Sequence, residues 1–386
     1  MTTEIDTIKG FRDYTGEEAK KREIIKKILI KNFELYGFEP AETPIIESGP
    51  FVQGENASDE AVSDIFRLRD KGDRNLALRY EFTFQLKRIS KNKKMPYKRY
   101  QIGEVFRDEP TSSNRFRQFT QCDADIIGSS AKDEAEILAL VSKILLELKI
   151  PAIINVNSRK LLNEILDKEG IKEKEKVMKE LDKLDKLSEK EVLENLKKYN
   201  AGNMIEILKN KDSFFEKYGN YSEILELKKY CELYGVKINF QPNLARGLSY
   251  YNGYVVEVKT MKMKETIIAG GSYPVNGIQS TGISFGIERL SQLALINLEE
   301  KRVLVISIGE DEKTVKFCEE LRKNQISCLI MYGKISKALE FANSYKLPYV
   351  IFIGEEEMKK KKFKLRDMKT GIEKLMDEKE IIDKLK

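Results

Sequence analysis

Residues 105–125 read VFRDEPTSSNRFRQFTQCDAD, and this stretch contributes most to the predicted fold. Apolar residues lie on both sides of a polar centre, PTSSN, which predicts two antiparallel strands joined by a tip. The predicted strands lie within YKRYQIGEVFRDE and FRQFTQCDADIIG. Three arginines and four acidic residues in one short hairpin indicate either a solvated surface loop or a site for charged groups of both signs.

Three side chains of this hairpin are suited to a nucleotide. Arg107 has five N–H donors in a planar fork, which matches the oxygens of a phosphate. Glu109 would accept a hydrogen bond from an exocyclic amine, and Phe119 would stack on a purine. The alternative is a surface hairpin whose cross-strand ion pairs contribute about 0.2–1 kcal/mol each.

The composition sets limits on the class of protein. The chain has 386 residues, which favours two or three domains, and it is 41% apolar and 34% charged. A net charge of +6 permits a polyanionic partner without requiring one. No apolar run reaches the ~20 residues of a membrane span, and the mixed-charge start does not resemble a signal peptide. We therefore expect a soluble cytoplasmic protein with no membrane partner.

Histidine is absent from the sequence, which excludes mechanisms that depend on a histidine base or a histidine metal ligand. The four cysteines lie far apart and form no CxxC pair, so we expect reduced thiols and no protein zinc site. Any chemistry must therefore depend on Arg, Lys, Asp, Glu, Tyr or the substrate itself.

The first part of the chain predicts a mixed α and β domain. Residues 16–37 predict an amphipathic helix that ends at Gly37, and FEPAETPIIES predicts an extended edge strand with two prolines. Residues 76–90 begin as a strand, LALRYEFT, and continue as a helix. A further helix over 132–149 precedes a strand, AIINVNS.

The composition then changes twice. Residues 168–232 are rich in Lys and Glu with Leu and Val at helical spacing, which predicts a helical insertion with solvated charged faces. Strands follow at VKINFQ, GYVVEVKT and ETIIAGGSY, and a helix is predicted to start near Ile283. From about residue 300, short apolar runs alternate with helical patterns, which predicts an α/β domain with a largely parallel sheet.

Four more segments contain candidate site residues. LARGLSYYNG contains Arg246 and two tyrosines; we expect the tyrosines to lie on a strand and point to opposite faces. TGISFGIERL predicts a strand or turn that runs into a helix through a Gly, with Arg289 on the first turn of the helix. LRYEFT places Glu81 and Thr83 on one face of a strand, which suits an ammonium group or an ordinary polar surface. IIAGGSY has paired glycines and is by itself most simply a turn.

Together these segments resemble one family. The hairpin FRDE…RFRQF, GISFGIERL and the start with Pro44 resemble motifs 2, 3 and 1 of class II aminoacyl-tRNA synthetases. ARGLSYYNG and AGGSY are similar to the RGLDYY and GGRYD segments of histidyl-tRNA synthetases, and RQFTQCDADIIG is similar to the archaeal and eukaryotic form. NSRKLLNEIL and the last ~85 residues also resemble that family, the latter its anticodon-binding domain.

The resemblance implies a role for each candidate residue. The implied ATP ligands are Arg107 for the α-phosphate, Glu109 and Phe119 for the adenine, and Arg289 for the far phosphate end. Arg246, with Arg107, would be catalytic and would stabilise the charge that develops on transfer. The implied ligands of the amino acid are Glu81, Thr83, Gln121, Asp125, Arg246, Tyr250, Tyr251 and Tyr273.

The implied fold class is α/β (α+β): an antiparallel-sheet class II catalytic core over 1–298 with a helical insertion at 168–232, then an anticodon-binding domain over 299–386. The implied enzyme is a histidine–tRNA ligase. It would activate histidine with ATP and Mg²⁺ and transfer it to the 3′ end of tRNA-His. The resemblance also implies a homodimer, formed through ELYGFEPAETPII.

Three departures from the family pattern are Ser249 for its Asp, Ser272 for its Arg, and Thr120 where many members have His or Tyr. The two serines are expected close to the pocket.

One alternative is a protein like the regulatory subunit of ATP phosphoribosyltransferase, which usually lacks the C-terminal domain and the RGLxYY arginine. Others are a non-catalytic histidine-sensing paralogue and a synthetase for proline, threonine or glycine. The retained arginines, RGLxYY element and last domain favour the histidine enzyme.

Overall fold

The computed structural model describes most of the chain, and the described ranges are 6–54, 60–185, 187–245, 250–298 and 302–386. The chain forms two compact units, Met1–Ile296 and Asn297–Lys386. In the described part of the chain, no helix combines the length and apolar character that a membrane crossing requires.

The first unit contains helices and strands throughout. Its helices are α1 (Gly16–Leu35), α2 (Gly49–Gln53), α3 (Glu60–Ser63), α4 (Thr83–Ile89), α5 (Ala131–Glu147), α6 (Arg159–Lys168), α7 (Lys174–Asp182), α8 (Glu189–Lys197), α9 (Met204–Leu208), α10 (Tyr221–Leu233) and α11 (Ile287–Leu293). Its strands are β1 (Glu39–Pro40), β2 (Ile46–Ser48), β3 (Arg67–Arg69), β4 (Asn75–Leu78), β5 (Tyr97–Phe106), β6 (Gln118–Ile127), β7 (Ile153–Ser158), β8 (Asn239–Phe240), β9 (Tyr254–Thr260), β10 (Met263–Val275) and β11 (Ile278–Gly286). Short 3-10 turns occur at Lys183–Asp185 and Asp212–Lys217.

A large sheet forms the centre of this unit, with the strand order β1-β5-β6-β11-β10-β9-β7-β8 among the described residues. The predicted hairpin is confirmed, because β5 and β6 pair antiparallel from Tyr97 opposite Ile127 to Phe106 opposite Gln118. Pairing is antiparallel between all neighbours from β5 to β7. Strand β1 lies at the edge of the sheet and pairs parallel with β5. Pro40 has no backbone N–H to donate, and an edge strand tolerates this because it has a neighbour on one side only.

One face of this sheet packs against helices. Every second residue of β6, namely Cys122, Ala124 and Ile126, is buried in the same apolar cluster as Ile25 and Phe33 of α1. The α5 residues Leu138, Val141 and Ile144 belong to that cluster. The remaining residues of β6 therefore point to the opposite face, which we call the site face.

The expected helical segment lies between β7 and β8, where α7 to α10 follow α6. Its leucines and valines at helical spacing are buried, among them Val177, Leu181, Val192 and Leu196. Ser188 caps α8 in a reciprocal capping box with Glu191, whose carboxylate accepts the Ser188 backbone N–H at 2.9 Å. The segment shares the apolar cluster of the large sheet, so it belongs to the core of the first unit.

The second unit contains the predicted α/β domain. Its elements are β12 (Val303–Ile308), α12 (Asp311–Lys323), β13 (Cys328–Tyr332), α13 (Ile335–Ser344), β14 (Tyr349–Gly354), α14 (Glu355–Lys359), β15 (Phe363–Asp367), β16 (Glu373–Met376) and α15 (Glu378–Leu385). Strands β13, β12 and β14 pair parallel, as predicted. Strands β15 and β16 add an antiparallel hairpin, so "largely parallel" was wrong for the last two strands. Their shorter, Lys-rich sequence does not give the apolar runs of the first three.

The predicted helix start near Ile283 was also wrong. Residues from Ser280 to Gly286 pair with β6 on one side, and β11 pairs with β10 on the other, so this stretch is a central strand. Helix α11 begins only at Ile287, where the pairing with β6 has ended. Arg289 still lies on its first turn, as expected.

Candidate active site

The site face combines charged side chains with glycines. Arg99 on β5 lies opposite Asp125 on β6, which lies opposite Gly282 on β11. Two rows further along on the same face, Gly103 lies opposite Gln121, which lies opposite Gly286. Directly paired residues in an antiparallel sheet point to the same face, so these rows form the floor of the candidate site on the site face.

Glycine is required at two of these positions by close contacts. A Cβ on Gly282 would overlap the Asp125 carboxylate and lie 2.9 Å from the Tyr273 hydroxyl oxygen. A Cβ on Gly103 would lie 2.6 Å from Nη2 of Arg79. The missing side chains therefore make room for the charged groups that face each other across the floor.

Arg107 lies at one end of this face, directly after β5. Its Nε donates to the Tyr80 carbonyl oxygen at 3.1 Å, and its Nη2 contacts Gln121 Oε1 at 3.5 Å. Its guanidinium carbon lies 5.1 Å from the centre of the Phe119 ring. The structure thus brings together the cation, the aromatic ring and the amide that the sequence predicted as ligands of ATP and of the amino acid.

Glu109 and Arg289 lie at the same end. Glu109 is buried and forms an ion pair with Arg115. Burial lowers the pKa of Arg289. The charges of Glu265 and Glu109 raise this pKa, and those of Arg115 and Arg107 lower it. Glu288, the residue before Arg289, accepts the Thr120 backbone N–H at 3.0 Å, so the first turn of α11 contacts the β6 arm of the hairpin. The Arg289 guanidinium also donates to the Thr266 carbonyl oxygen of β10.

An acidic centre lies at the other end of β6. Asp125 is buried, accepts a hydrogen bond from the Tyr273 hydroxyl and forms an ion pair with the fully buried Arg99 at 2.8 Å. Burial raises the pKa of Asp125, while the Arg99 charge and the tyrosine hydrogen bond oppose that shift. A fixed carboxylate beside an aromatic hydroxyl can accept a hydrogen bond from a ring N–H of a ligand.

Arg99 and Asp123 belong to the site and were missed in the sequence. The Gln121 amide Nε2 donates to both oxygens of Asp123, at 3.0 and 2.8 Å, and this orients its Oε1 towards Arg107. Burial and the Asp125 charge raise the pKa of Asp123 to about 7. Strand alternation is the signal that would have identified both residues, because each lies two positions from a predicted one or directly opposite it.

The tyrosine prediction was wrong in one respect. Tyr250 and Tyr251 precede β9 rather than lying on a strand, so strand alternation does not separate them. Their ring centres are 4.8 Å apart and lie 5.6 and 6.3 Å from that of Tyr273. All three aromatic rings therefore line the same end of the site as Asp125.

The prediction for Glu81 and Thr83 was also wrong in its geometry. Strand β4 ends at Leu78, and Thr83 is the first residue of α4, so the two do not share a strand face. Arg79 turns the chain here by donating to the carbonyl oxygens of Glu104 and Thr43, at 2.8 and 2.7 Å. Glu81 is buried near Tyr250: burial, followed by the Glu81 charge, raises the pKa of that hydroxyl. Among the described contacts, none joins Thr83 to the other site residues.

Two predicted positions, Arg246 and Ser249, lie outside the described residues. Ser272 is described and does not line the pocket, contrary to expectation. Its hydroxyl donates to Glu134 of α5 and accepts the Tyr254 backbone N–H at 3.0 Å, on the helix side of the sheet. Because neighbouring residues of a strand alternate, Tyr273 faces the site and Ser272 faces away from it.

Ser272 gives the buried Glu134 a hydroxyl partner where the family pattern has an arginine, which predicts a pH effect on stability. Burial raises the Glu134 pKa from 4.5 to about 8, and the Ser272 hydrogen bond opposes this. Between pH 4.5 and about 8 the folded chain retains a proton that the unfolded chain has lost, so stability falls as pH rises through this window. We expect Glu134→Gln to raise the melting temperature by roughly 5 °C at pH 8 and far less at pH 5.

The control for this experiment is Glu147→Gln, the same change at a more exposed position of the same helix. We expect its melting temperature to differ from the wild type by the same small amount at both pH values. Equal shifts for Glu134→Gln at pH 5 and pH 8 would show that Glu134 is ionised in the folded chain.

A buried network supports the phosphate end from the helix side. Arg22 of α1 donates to Glu288 at 2.9 Å and to the Thr120 hydroxyl at 2.7 Å, and Glu288 accepts the Thr120 backbone N–H at 3.0 Å. The Tyr14 ring lies 3.8 Å from the Arg22 guanidinium carbon. Thr120 therefore departs from the family pattern outside the pocket, where it joins α1, β6 and α11.

The described residues contain no group of three or more Cys, Asp or Glu side chains that could hold a metal ion. The four cysteines are buried and unpaired. At the phosphate end, the charges of two carboxylates, Glu265 and Glu109, raise the pKa of Arg289.

Sequence comparisons identify the family. A family model described as Histidyl-tRNA synthetase matches residues 10–290, and one described as Anticodon binding domain matches residues 301–386. Histidine--tRNA ligase 1 of Bacillus cereus is 32% identical over 413 residues, which cover 96% of this chain and 94% of the relative. Histidine--tRNA ligase of Helicobacter pylori is 32% identical over 420 residues, covering 95% and 94%.

Solved structures share the fold. The histidyl-tRNA synthetase of Nostoc sp. PCC 7120 superposes with a TM-score of 0.86 at 23% identity, covering 99% of this chain and 98% of that one. An ATP phosphoribosyltransferase regulatory subunit/histidyl-tRNA synthetase from Bacillus halodurans C has a TM-score of 0.78 at 20% identity, covering 92% and 99%. At these identities the likeness establishes the fold, an α/β architecture with a large antiparallel sheet.

Proposed function

The chain belongs to the histidyl-tRNA synthetase family, and we propose that its site face carries out the activation of histidine. Like its curated relatives, the chain is a histidine–tRNA ligase, an aminoacyl-tRNA synthetase that uses ATP. It forms histidyl-adenylate and transfers histidine to the 3′ end of tRNA-His. One observation supports the proposal that this activation takes place on the site face: Arg107, Gln121 and Asp125 share one face of one hairpin.

In the first step, an oxygen of the histidine carboxylate attacks the α-phosphorus of ATP. The new O–P bond forms as the bond from that phosphorus to the bridging oxygen breaks, and pyrophosphate leaves with the electron pair. The carboxylate is already a nucleophile, so no histidine base is needed. Catalysis then depends on positioning and on stabilising the developing negative charge.

Arg107 is the proposed ligand of the α-phosphate. Phe119 would stack on the adenine, Glu109 would accept its exocyclic amine, and Arg289 would hold the far phosphate end. Because Arg115 already pairs with Glu109, adenine recognition would use the remaining acceptor capacity of that carboxylate. Arg246, outside the described residues, is proposed to stabilise the transferring phosphate.

Histidine is proposed to bind at the acidic end. Asp125, with Tyr273 and the rings of Tyr250 and Tyr251, would contact the imidazole. The ammonium and carboxylate would lie between this end and Arg107, within reach of Gln121. Glu81, Thr83 and Arg246 complete the proposed set of amino-acid ligands.

Mg²⁺ is proposed to enter with ATP. This ion is commonly held by one or two carboxylates together with substrate phosphates, and Glu265, whose charge raises the pKa of Arg289, fits that donor set. When bound, it would neutralise charge on the phosphates.

We further propose a cytoplasmic enzyme whose catalytic core spans residues 1–298, with the insertion at 168–232 and an anticodon-binding domain over 299–386.

We also propose a homodimer formed through residues 34–46. Large apolar side chains are exposed there in the single chain: Leu35 at 61%, Ile45 at 41% and Ile46 at 51%. Sedimentation equilibrium is expected to give twice the 44.7 kDa of one chain. Ile46→Lys is expected to weaken the association without unfolding the chain, because Ile46 is exposed. A wild-type mass of 44.7 kDa at micromolar concentration would contradict the dimer.

The proposed function is tested by ATP–pyrophosphate exchange with each of the twenty amino acids. We expect exchange with histidine and not with proline, threonine or glycine. Exchange with none of them, by a folded protein, would favour a regulatory or histidine-sensing protein instead. Exchange with a different amino acid would overturn the assignment of Asp125 and the tyrosines to the imidazole.

A further inference from the structure

One residue holds both ends of the segment that carries the active-site tyrosines. Arg159, the first residue of α6, is buried. Its Nη1 donates to the Ala245 carbonyl oxygen at 3.3 Å, and its backbone N–H donates to the Gly253 carbonyl oxygen at 2.8 Å. Ala245 and Gly253, which lie before and after the two tyrosines in the sequence, are therefore both bound by Arg159.

A second side chain holds the approach to this segment. The amide Nδ2 of Asn157, at the end of β7, donates to the carbonyl oxygens of Pro242 and Leu244 at 2.8 and 2.9 Å. Asn157 is fully buried. Buried carbonyl groups need partners, and here side chains supply them in place of a neighbouring strand.

The other side of the Arg159 guanidinium is bound by the helical insertion. Its Nη2 donates to both carboxylate oxygens of Glu175, at 2.8 and 3.2 Å. Glu175 lies on α7, and its side chain is 61% exposed. A planar guanidinium that contacts a carboxylate and a carbonyl at once fixes their relative positions.

We propose that Arg159 is a positioning residue and that Glu175 transmits the position of the helical insertion to the segment around Tyr250 and Tyr251. The inference rests on the proposed function, because it assigns control of histidine activation to the insertion. A shift of α7 would move the Arg159 guanidinium, and with it the Ala245 carbonyl. The insertion would thereby adjust the chemistry without contacting ATP or histidine.

The effect is expected on kcat rather than on the binding of ATP. The residues proposed to bind ATP before the reaction lie on the β5–β6 hairpin and on α11, which Arg159 does not touch in the described contacts. Arg246, which follows Ala245, is proposed to act on the phosphate during the transfer and therefore on kcat. Small displacements of groups next to the reacting atoms slow the chemical step strongly while leaving distant contacts unchanged. A defect that only loosened the fold would lower the melting temperature and change both parameters.

The test compares Glu175→Ala with a matched control, Glu173→Ala. Both change an exposed glutamate at the start of α7, but Glu173 pairs only with Lys176 among the described contacts. Glu175→Ala is expected to lower kcat of histidine-dependent ATP–pyrophosphate exchange about 5-fold, with KM for ATP within about twofold of wild type. Hydrogen exchange in residues 242–253 is expected to be faster in this variant. Glu173→Ala is expected to match the wild type in each measurement.

A double-variant cycle completes the test. Arg159→Met is expected to lower kcat at least as much as Glu175→Ala, and combining them is expected to add nothing further. Wild-type kcat and unchanged hydrogen exchange in Glu175→Ala would overturn the inference, even if Arg159→Met failed to fold. If the wild type showed no exchange with histidine, the proposed function would fail, and hydrogen exchange would still decide whether Glu175 controls the segment.

Discussion

Replacing Arg107 by alanine is expected to lower kcat/KM for histidine-dependent ATP–pyrophosphate exchange by about 10²- to 10³-fold. Its Nε and Nη2 are held by the Tyr80 carbonyl and the Gln121 amide, which aim the guanidinium across the face of Phe119. A preorganised cation at a transferring phosphate loses no energy to reorientation during the reaction. The loss is expected in kcat, with a smaller rise in KM for ATP.

Two variants test this role of Arg107. Arg107→Lys keeps the charge but has no fork, so we expect it to recover only part of the activity. Arg69→Ala makes the same truncation at an exposed arginine of β3 that pairs with Asp73, and it is expected to behave as wild type. Exchange by Arg107→Ala within a few-fold of wild type would remove Arg107 from the catalytic set.

Replacing Asp125 by asparagine is expected to raise KM for histidine by about 100-fold, with KM for ATP little changed. The carboxylate is the proposed acceptor for the imidazole, and asparagine lacks its charge. The variant also leaves the buried Arg99 without its anion. We therefore expect a loss of roughly 3 kcal/mol in the free energy of unfolding, measured by urea denaturation.

Tyr273→Phe separates the two effects of the Asp125 change. It removes the hydroxyl that donates to Asp125 but leaves the Arg99–Asp125 ion pair in place. We expect KM for histidine to rise about 10-fold and the free energy of unfolding to change by about 1 kcal/mol or less. A wild-type KM for histidine in a folded Asp125→Asn enzyme would show that the imidazole binds elsewhere.

The hairpin shows how far sequence reasoning extends. Its tip centres on Ser112, and β5 and β6 pair residues that are equidistant from that position, such as Arg99 and Asp125. The turn of a regular hairpin fixes which residues of its two strands lie opposite each other. The pairing of Arg99 with Asp125 could therefore have been predicted from the position of the tip. Arg99 was missed because the predicted pairing of β5 with β6 was not followed to the ends of these strands that lie far from the tip.

Local patterns failed where tertiary pairing decides the structure. The sequence around Ile283 fits a helix, yet it is a strand because β6 and β10 bind it on both sides. The two adjacent tyrosines fit a strand, yet they precede β9 and pack together. Contacts such as Arg22–Glu288 and Arg159–Ala245 join residues distant in sequence, and no local pattern encodes them.

The buried network of Arg22, Thr120 and Glu288 has a consequence for synthesis of the enzyme. Arg22 and Glu288 are 266 positions apart in the sequence. Because ribosomes add about 5–20 residues per second, Glu288 is synthesised roughly 10–50 s after Arg22. Until then β6 also lacks β11, its neighbour on the side away from β5. A nascent chain thus exposes an unfinished sheet edge and an unneutralised cation together, and exposed sheet edges of this kind are prone to pair with other chains.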